Sequence, residues 1–267
     1  MSPHNSETQY THGYTNPAFA GISSRTAASH AYFLLPHLKS GDTLLDIGCG
    51  PGTITLGLAE AVAPGRASGV DIGEEFIDLA RDGAESAGVQ NVNFATGDAL
   101  KLDFDDESFD AVFAFALLEH LPEPFEAMKE WKRVLKPGGV VAVGSGAVSR
   151  HAYAPDSPWG NVGFYLAVWE QNGGHPEIGL TQPKLLEDAG FSEIEVGGFI
   201  TSLDALAQVA WAERMREPSF ITQAVEGGFA TEEEIEDLAT EIEAWAKLEN
   251  SWYLLPWFYG LGKKPAE

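Results

Sequence analysis

The sequence reads as an α/β chain built on a doubly wound, mostly parallel sheet, with a helical insertion before the last strand. Three observations predict this. Short apolar runs alternate with helix-spaced segments from Thr43 to Gly144. A glycine-rich turn, Gly48-Cys49-Gly50-Pro51-Gly52, stands between the first such run and the helix after it. That rhythm then breaks after Ser145, and helical patterning over 202–250 precedes a final apolar run at 252–262.

Taken in order, residues 1–20 read as a mobile polar lead, followed by an apolar-patterned helix through Ala27, Ala31, Phe33, Leu34 and Leu35 that ends near Ser40-Gly41. Strands are expected at 43–48, 67–71, 92–95, 111–116 and 140–144, with helices at 53–62, 74–87 and 124–135. Strands and helices in this alternation join through right-handed crossovers, which puts ligands beyond the carboxyl ends of the strands. Residues 150–180 are rich in Gly, Pro, Trp and Tyr and suggest loops and short helices over the sheet top, with a further strand at 191–196. No low-complexity linker divides the 267 residues, so one domain is expected. In it, 21–145 form a ligand-binding core, while 146–190 and 202–250 form a second-substrate pocket and a cap.

Composition narrows the functional classes. Hydrophobic residues at 44% and charged residues at 21% suit a chain that buries a core. Forty acidic against sixteen basic residues give a formal charge of -24, which repels phosphate backbones, so nucleic acid is not an expected partner. The densest acidic run, Glu232 to Asp237, follows Thr231, where it reads as a helix start with carboxylates placed well for the helix dipole. The single cysteine, Cys49, excludes an internal disulfide and a multi-thiolate zinc site, and no metal is expected. The N-terminus lacks the apolar core of a signal peptide and no run of about eighteen apolar residues occurs, so a cytoplasmic chain without membrane insertion is expected.

Chemistry concentrates in five motifs. The first is Leu44 to Gly52, LLDIGCGPG: glycines allow a tight turn and a close ligand approach, and the following helix offers its positive end. Asp46 precedes the glycines, and the third glycine of the dinucleotide fingerprint would fall at 53, where Thr stands. The second motif is Asp71, ending the next strand, where a carboxylate can accept both hydroxyls of an adenosine ribose. Gly97-Asp98-Ala99-Leu100 comes third, with Asp98 able to accept from an adenine amino group and the Ala99 amide able to donate to the ring. Ser108 to Leu121, SFDAVFAFALLEHL, and Val134 to Gly139, VLKPGG, complete the set.

In this order the motifs make residues Arg25 to Gly139 resemble the class I S-adenosylmethionine methyltransferases, in style the UbiE-like small-molecule group; the segments GGHPEIG at 173–179 and LLEDAGF at 185–191 resemble it more loosely. The resemblance implies a seven-stranded Rossmann-like sheet with an antiparallel last strand, and S-adenosylmethionine as cofactor. It puts Asp46, Gly48 and Gly50 under the methionine moiety, Asp71 at the ribose, Asp98 and Ala99 at the adenine, and Ala116 beside the sulfonium. Arg25 would reach the methionine carboxylate. Cys49, Ile72, Gly97 and Leu117 join them as cofactor-contacting positions, Cys49 as a small residue filling space under the loop and not as a nucleophile.

The expected reaction is in-line transfer of a methyl group to a small-molecule acceptor by a monomer or homodimer. Such transfer asks mainly for alignment and a dry site. An acceptor that must lose a proton needs a base, and His12, His120, His151 and His175 are the histidines considered, with His120 and His175 preferred. Among the aromatics, Tyr153, Trp159, Phe164, Tyr165, Trp169, Trp211, Trp252, Tyr253 and Trp257 either line the acceptor pocket or fill the core. Two other readings are weighed: a nicotinamide-dependent oxidoreductase, which Thr53 and the lack of a Tyr-x-x-x-Lys pair disfavour, and a protein that binds the cofactor without methylating.

Overall fold

The computed structural model describes residues 22–266. The expected lead, residues 1–20, and His12 lie outside the described residues. The first helix lying wholly within the described residues, α1 (Ala27–His30), is held by a capping box between Thr26 and Ser29 and is far shorter than the pattern suggested. The helix ends at Ala31, at φ -127° and ψ 12°, and the chain goes on through turns and a 3-10 segment at Leu35–His37, where Pro36 has no N–H with which to continue an α-helix. The apolar residues read as a helical stripe pack on the sheet instead: Phe33 stacks on Tyr259 with ring centroids 4.1 Å apart.

The alternating core then follows the sequence closely: β1 (Thr43–Ile47), α2 (Thr53–Val62), β2 (Arg66–Asp71), α3 (Glu74–Ala87), β3 (Val92–Thr96), β4 (Phe109–Phe115), α4 (Pro124–Val134) and β5 (Leu135–Gly146). Beyond it come β6 (Ala152–Ala154), α5 (Gly163–Gln171), α6 (Gln182–Asp188), β7 (Ser192–Leu203), α7 (Ala205–Met215), α8 (Pro218–Glu226), α9 (Glu232–Ala246) and β8 (Trp252–Lys263). Strands β1 to β5 are parallel in the order β3-β2-β1-β4-β5, and β8 runs antiparallel to β5 from Val140↔Lys263 to Gly146↔Trp257. Both β5 and the short β6 pair with β8 on the side opposite β7, β6 through 252–254 and β5 through 257–263. The eight strands therefore occupy seven positions across the sheet, as expected of a doubly wound sheet with a reversed strand near its edge.

Alternation along β4 distributes side chains to the two faces. Val112 and Ala114 point into a cluster with Met128, Trp131 and Leu186, whereas Ala111, Phe113 and Phe115 join Leu34, Leu58 and Val62 on the other. A third cluster unites α5, α7, α8 and α9 through Tyr165, Trp169, Met215, Phe220, Ile235, Ile242 and Trp245, with Trp159 and Tyr253 closing it. Thr231 caps α9 and exchanges bonds with Glu234, so the acidic run does start a helix, and Arg216 of α7 pairs with Glu236 and Glu243 of α9. The insertion before β8 is thus three packed helices above the carboxyl ends of the parallel strands. Among the described residues no helix is long and apolar enough to cross a membrane.

Candidate active site

Beyond Ile47 the chain turns through left-handed glycines, Gly48 at φ 68°, Gly50 at 52° and Gly52 at 77°. A Cβ on Gly48 would sit 3.0 Å from the Leu117 side chain, and one on Gly52 would meet Phe94 at 2.8 Å, so the loop lies as close to its neighbours as backbone can. The Gly48 and Cys49 amides donate to the Val70 carbonyl at 2.8 and 3.0 Å, and the Gly50 and Gly73 amides donate to the two oxygens of Asp71 at 2.9 and 3.0 Å. Asp71 thereby splints the glycine loop to the end of β2. Burial raises its carboxyl above the usual range, and the Gly73, Gly50 and Ile72 amides oppose the shift.

Asp46 lies beneath the loop. Thr55 Oγ1 donates to it at 2.6 Å, and burial pushes its carboxyl up to about 7, Thr55 opposing and Asp71 adding to the rise. Cys49 is likewise buried, in a cluster with Phe94, Ile77 and Ala80, and its thiol is pushed up by burial and by Asp46 and Asp71. Neither side chain reaches the cavity described below. On the next strand end, the Leu100 amide donates to Asp98 at 2.8 Å and the Trp131 indole donates to the Ala99 carbonyl at 2.9 Å, which ties this loop to α4. Ala116 follows β4 at φ 54°, an uncommon conformation for a residue with a Cβ, and its amide bonds Gly144 at 2.7 Å.

These strand ends open into a cavity of about 570 Å³, within the range of ~300–1,000 Å³ usual for small-molecule sites. Its floor is Gly48, Gly50, Asp71, Gly97, Asp98 and Ala99; Ile72 stands at its rim, 59% exposed; Ala116 and Leu117 form a wall. Its roof is the end of β7 at Leu203, two residues into the stretch expected as cap, and the cap helix α7 through Leu206, Ala207, Ala210, Trp211 and Arg214. Trp169 and Trp257 also face it, while Trp159, Tyr165 and Tyr253 are committed to the cap core, with Tyr153 and Phe164 packed against that core, and Trp252 is exposed.

Several titratable groups converge there. Arg25 lies over the Phe115 and Trp257 rings, 5.4 and 5.1 Å from their centroids. His120 stacks on Trp169, and burial with the added repulsion of Arg214 and Arg25 lowers its pKa to about 3. His151 shares a hydrogen bond with the Tyr253 hydroxyl and is lowered to about 4 by burial. His175, the other preferred base, does not line the cavity; its amide donates to the Glu119 carbonyl at 2.8 Å, so its loop supports the residue that does.

Three cavity residues escaped sequence reasoning. Glu119 is 5% exposed, has one carboxylate oxygen without a partner, and is raised to about 6 by burial, with Ser145 and Arg25 pulling the other way. His30, bonded to the Ser29 hydroxyl at 2.8 Å, is lowered to about 4 by burial and by Arg25. Nothing local in the sequence marks either as facing a cavity, although Glu119 adjoins His120. Arg214 did carry a signal, since 207, 210, 211 and 214 share one helical face.

Residues 45–143 match the family described as "Methyltransferase domain". The chain is 32% identical to the "Probable methyltransferase ltbC" of Aspergillus luteorubrus over 91% of its own length and 93% of that protein. It belongs to the methyltransferase family. Over a shorter stretch, 39% of this chain and 43% of the other, it is 39% identical to the demethylmenaquinone methyltransferase of Staphylococcus aureus. The crystal structure of a candidate methyltransferase from Bacillus halodurans shares the fold, with a TM-score of 0.61 at 22% identity over 88% of this chain and 98% of that one. The matched stretch of this methyltransferase runs from within β1 to within β5 and contains the loops that floor the cavity, while Arg25 lies before it. Membership in the family sets the nicotinamide reading aside.

Proposed function

We propose that this methyltransferase transfers a methyl group from S-adenosylmethionine to a small-molecule acceptor enclosed between the strand ends and the cap. The observation that carries the reading is one continuous cavity whose floor is bare glycine backbone flanked by carboxylates and whose roof is apolar. The residues present fit the cofactor: Gly48, Gly50 and Gly97 expose backbone where a Cβ would take up space, and Asp71 and Asp98 keep lone pairs for ribose and adenine donors. Arg25 supplies a positive charge for the carboxylate of an amino-acid end. Asp46 and Cys49 act from below, holding the loop without touching the ligand.

The chemistry the cofactor supplies is a methyl group on a sulfonium, already activated. The chain's own work is alignment and exclusion of water, which Leu203 and the cap's Leu206, Ala207 and Ala210 perform. A neutral acceptor must also lose its proton as the new bond forms. His120, neutral at pH 7, is held against Trp169 in the cavity, and Glu119, with its carboxyl near 6, is the better matched acceptor of that proton. The charge of -24 supports an acceptor other than nucleic acid.

The reading is tested by incubating the protein with methyl-labelled cofactor and a fractionated small-molecule extract. Label moving into a low-mass product supports it. Label entering RNA or DNA, or none leaving the cofactor although it binds, contradicts it, the latter in favour of a binding protein.

A further inference from the structure

Among the described residues, one strong cation at the acceptor end of the cavity has no ion-pair partner. In a chain with forty carboxylates, Arg214 has no carboxylate within ion-pair distance and no hydrogen-bond partner among the described residues. Its Nε is buried, and its guanidinium lies 5.2 Å from the centre of the Trp211 ring on the cavity roof. Two residues on, Arg216 shows the ordinary outcome on this helix, paired with both Glu236 and Glu243. The residue as a whole is half-buried, and a buried N–H left unpaired on it costs free energy unless something else satisfies it.

The surroundings say what that is. On the cap side Asp204 also lines the cavity, but it caps α7 by accepting from the Ala207 amide and makes no ion pair with Arg214, while the walls beside Arg214 are the indoles of Trp169 and Trp211 and the apolar Ala207, Ala210 and Leu206. Glu119 and Asp98 belong to the other end, with Arg25 close to Glu119. The cavity is therefore polarised: carboxylates and Arg25 at the floor, and at the roof, among the described residues, one planar cation without an ion-pair partner beside flat apolar walls.

We infer that the methyl acceptor is a flat, largely apolar carboxylic acid, and that Arg214 binds its carboxylate from the cap. The inference rests on the methyltransferase reading above. A guanidinium and a carboxylate meet through two parallel N–H···O bonds, which fix orientation as well as add affinity, and indole faces favour planar carbon frameworks. Anchored there, the acceptor's remaining nucleophilic atom points away from the roof toward Ala116 and Glu119. Arg214 then acts as a specificity residue that aligns the acceptor without entering the chemistry.

The test uses the full chain saturated with S-adenosylhomocysteine, titrated with 2-naphthoate and with its uncharged isostere 2-naphthamide. The carboxylate is expected to bind at least tenfold more tightly than the amide. Arg214→Met should erase that preference while the homocysteine product binds within about twofold of the parent, which also shows that the variant is folded; Arg214→Lys should retain part of it. Equal binding of acid and amide, binding of neither, or a preference that survives in Arg214→Met overturns the inference. Failure of S-adenosylhomocysteine itself to bind would instead overturn the cofactor reading, so the two failures are told apart.

Discussion

At the scale of single residues, the glycine loop and Glu119 carry the sharpest consequences. Asp71 receives the Gly50 and Gly73 amides, so Asp71→Ala removes both a ligand acceptor and the splint that shapes the loop. Its affinity for S-adenosylhomocysteine should fall at least ~10-fold, about 1.4 kcal/mol, by calorimetry. Asp71→Asn, which keeps one acceptor, should lose less. Glu119 has the opposite character, because its environment favours the uncharged form. Its carboxyl is raised from 4.5 to about 6, so its contribution to stability is present in full below the unfolded value and is lost as the pH rises through about 6. Glu119→Gln should therefore be more stable than the parent at pH 8, by up to about 2 kcal/mol from the shift. That advantage should fade below pH 4.5 in urea titrations at several pH values, while turnover falls. A variant whose advantage over the parent is no greater at pH 8 than at pH 4 would show that the carboxylate is better solvated than its burial implies.

At the scale of elements, the cap is where the molecule is easiest to loosen. Thr231 accepts from the Glu234 amide and Glu234 accepts in return from the Thr231 amide, so two otherwise unmade donors at the head of α9 are satisfied. Thr231→Ala should cost about 1 kcal/mol of stability, read as a lower denaturant midpoint, with affinity for S-adenosylhomocysteine unchanged because the floor of the cavity is made elsewhere. The start of α9 and the β1-to-β5 core were legible from local signals: Thr231 as a cap residue ahead of α9, the alternation of strand and helix periods, and the glycines that end β1 and stop α3 at Gly88. The helices at 53–62 and 74–87 match the expected bounds residue for residue. The segment after Ala27 was not legible, since its apolar residues have helical spacing but serve the sheet, and Pro36 and the packing of Phe33 on Tyr259 decide the outcome. The site divides in the same way. Backbone-led positions such as Gly48, Asp71 and Asp98 follow from motif and strand end, whereas His30, Glu119 and Arg214 face the cavity only because of how distant elements meet.

At the scale of the whole molecule, net charge and the cavity at the strand ends are the dominant facts. A charge of -24 makes the folded state repel itself, and salt screens that repulsion over a Debye length of about 3 Å at 1 M against ~10 Å at 0.1 M. The midpoint of thermal unfolding should rise steadily as KCl is raised from low to molar concentration; a fall would mean that the few ion pairs, such as Arg133 with Asp106 and Glu130, outweigh the repulsion. The cavity gives the whole arrangement its purpose, because the floor laid by the parallel strands and the roof laid by the cap are built from segments more than a hundred residues apart. Whether that floor holds the proposed cofactor is settled by calorimetric titration of S-adenosylhomocysteine into the parent protein. One equivalent per chain binding in the micromolar range, weakened in Asp71→Ala, is the expected result; no heat of binding up to millimolar ligand would contradict it.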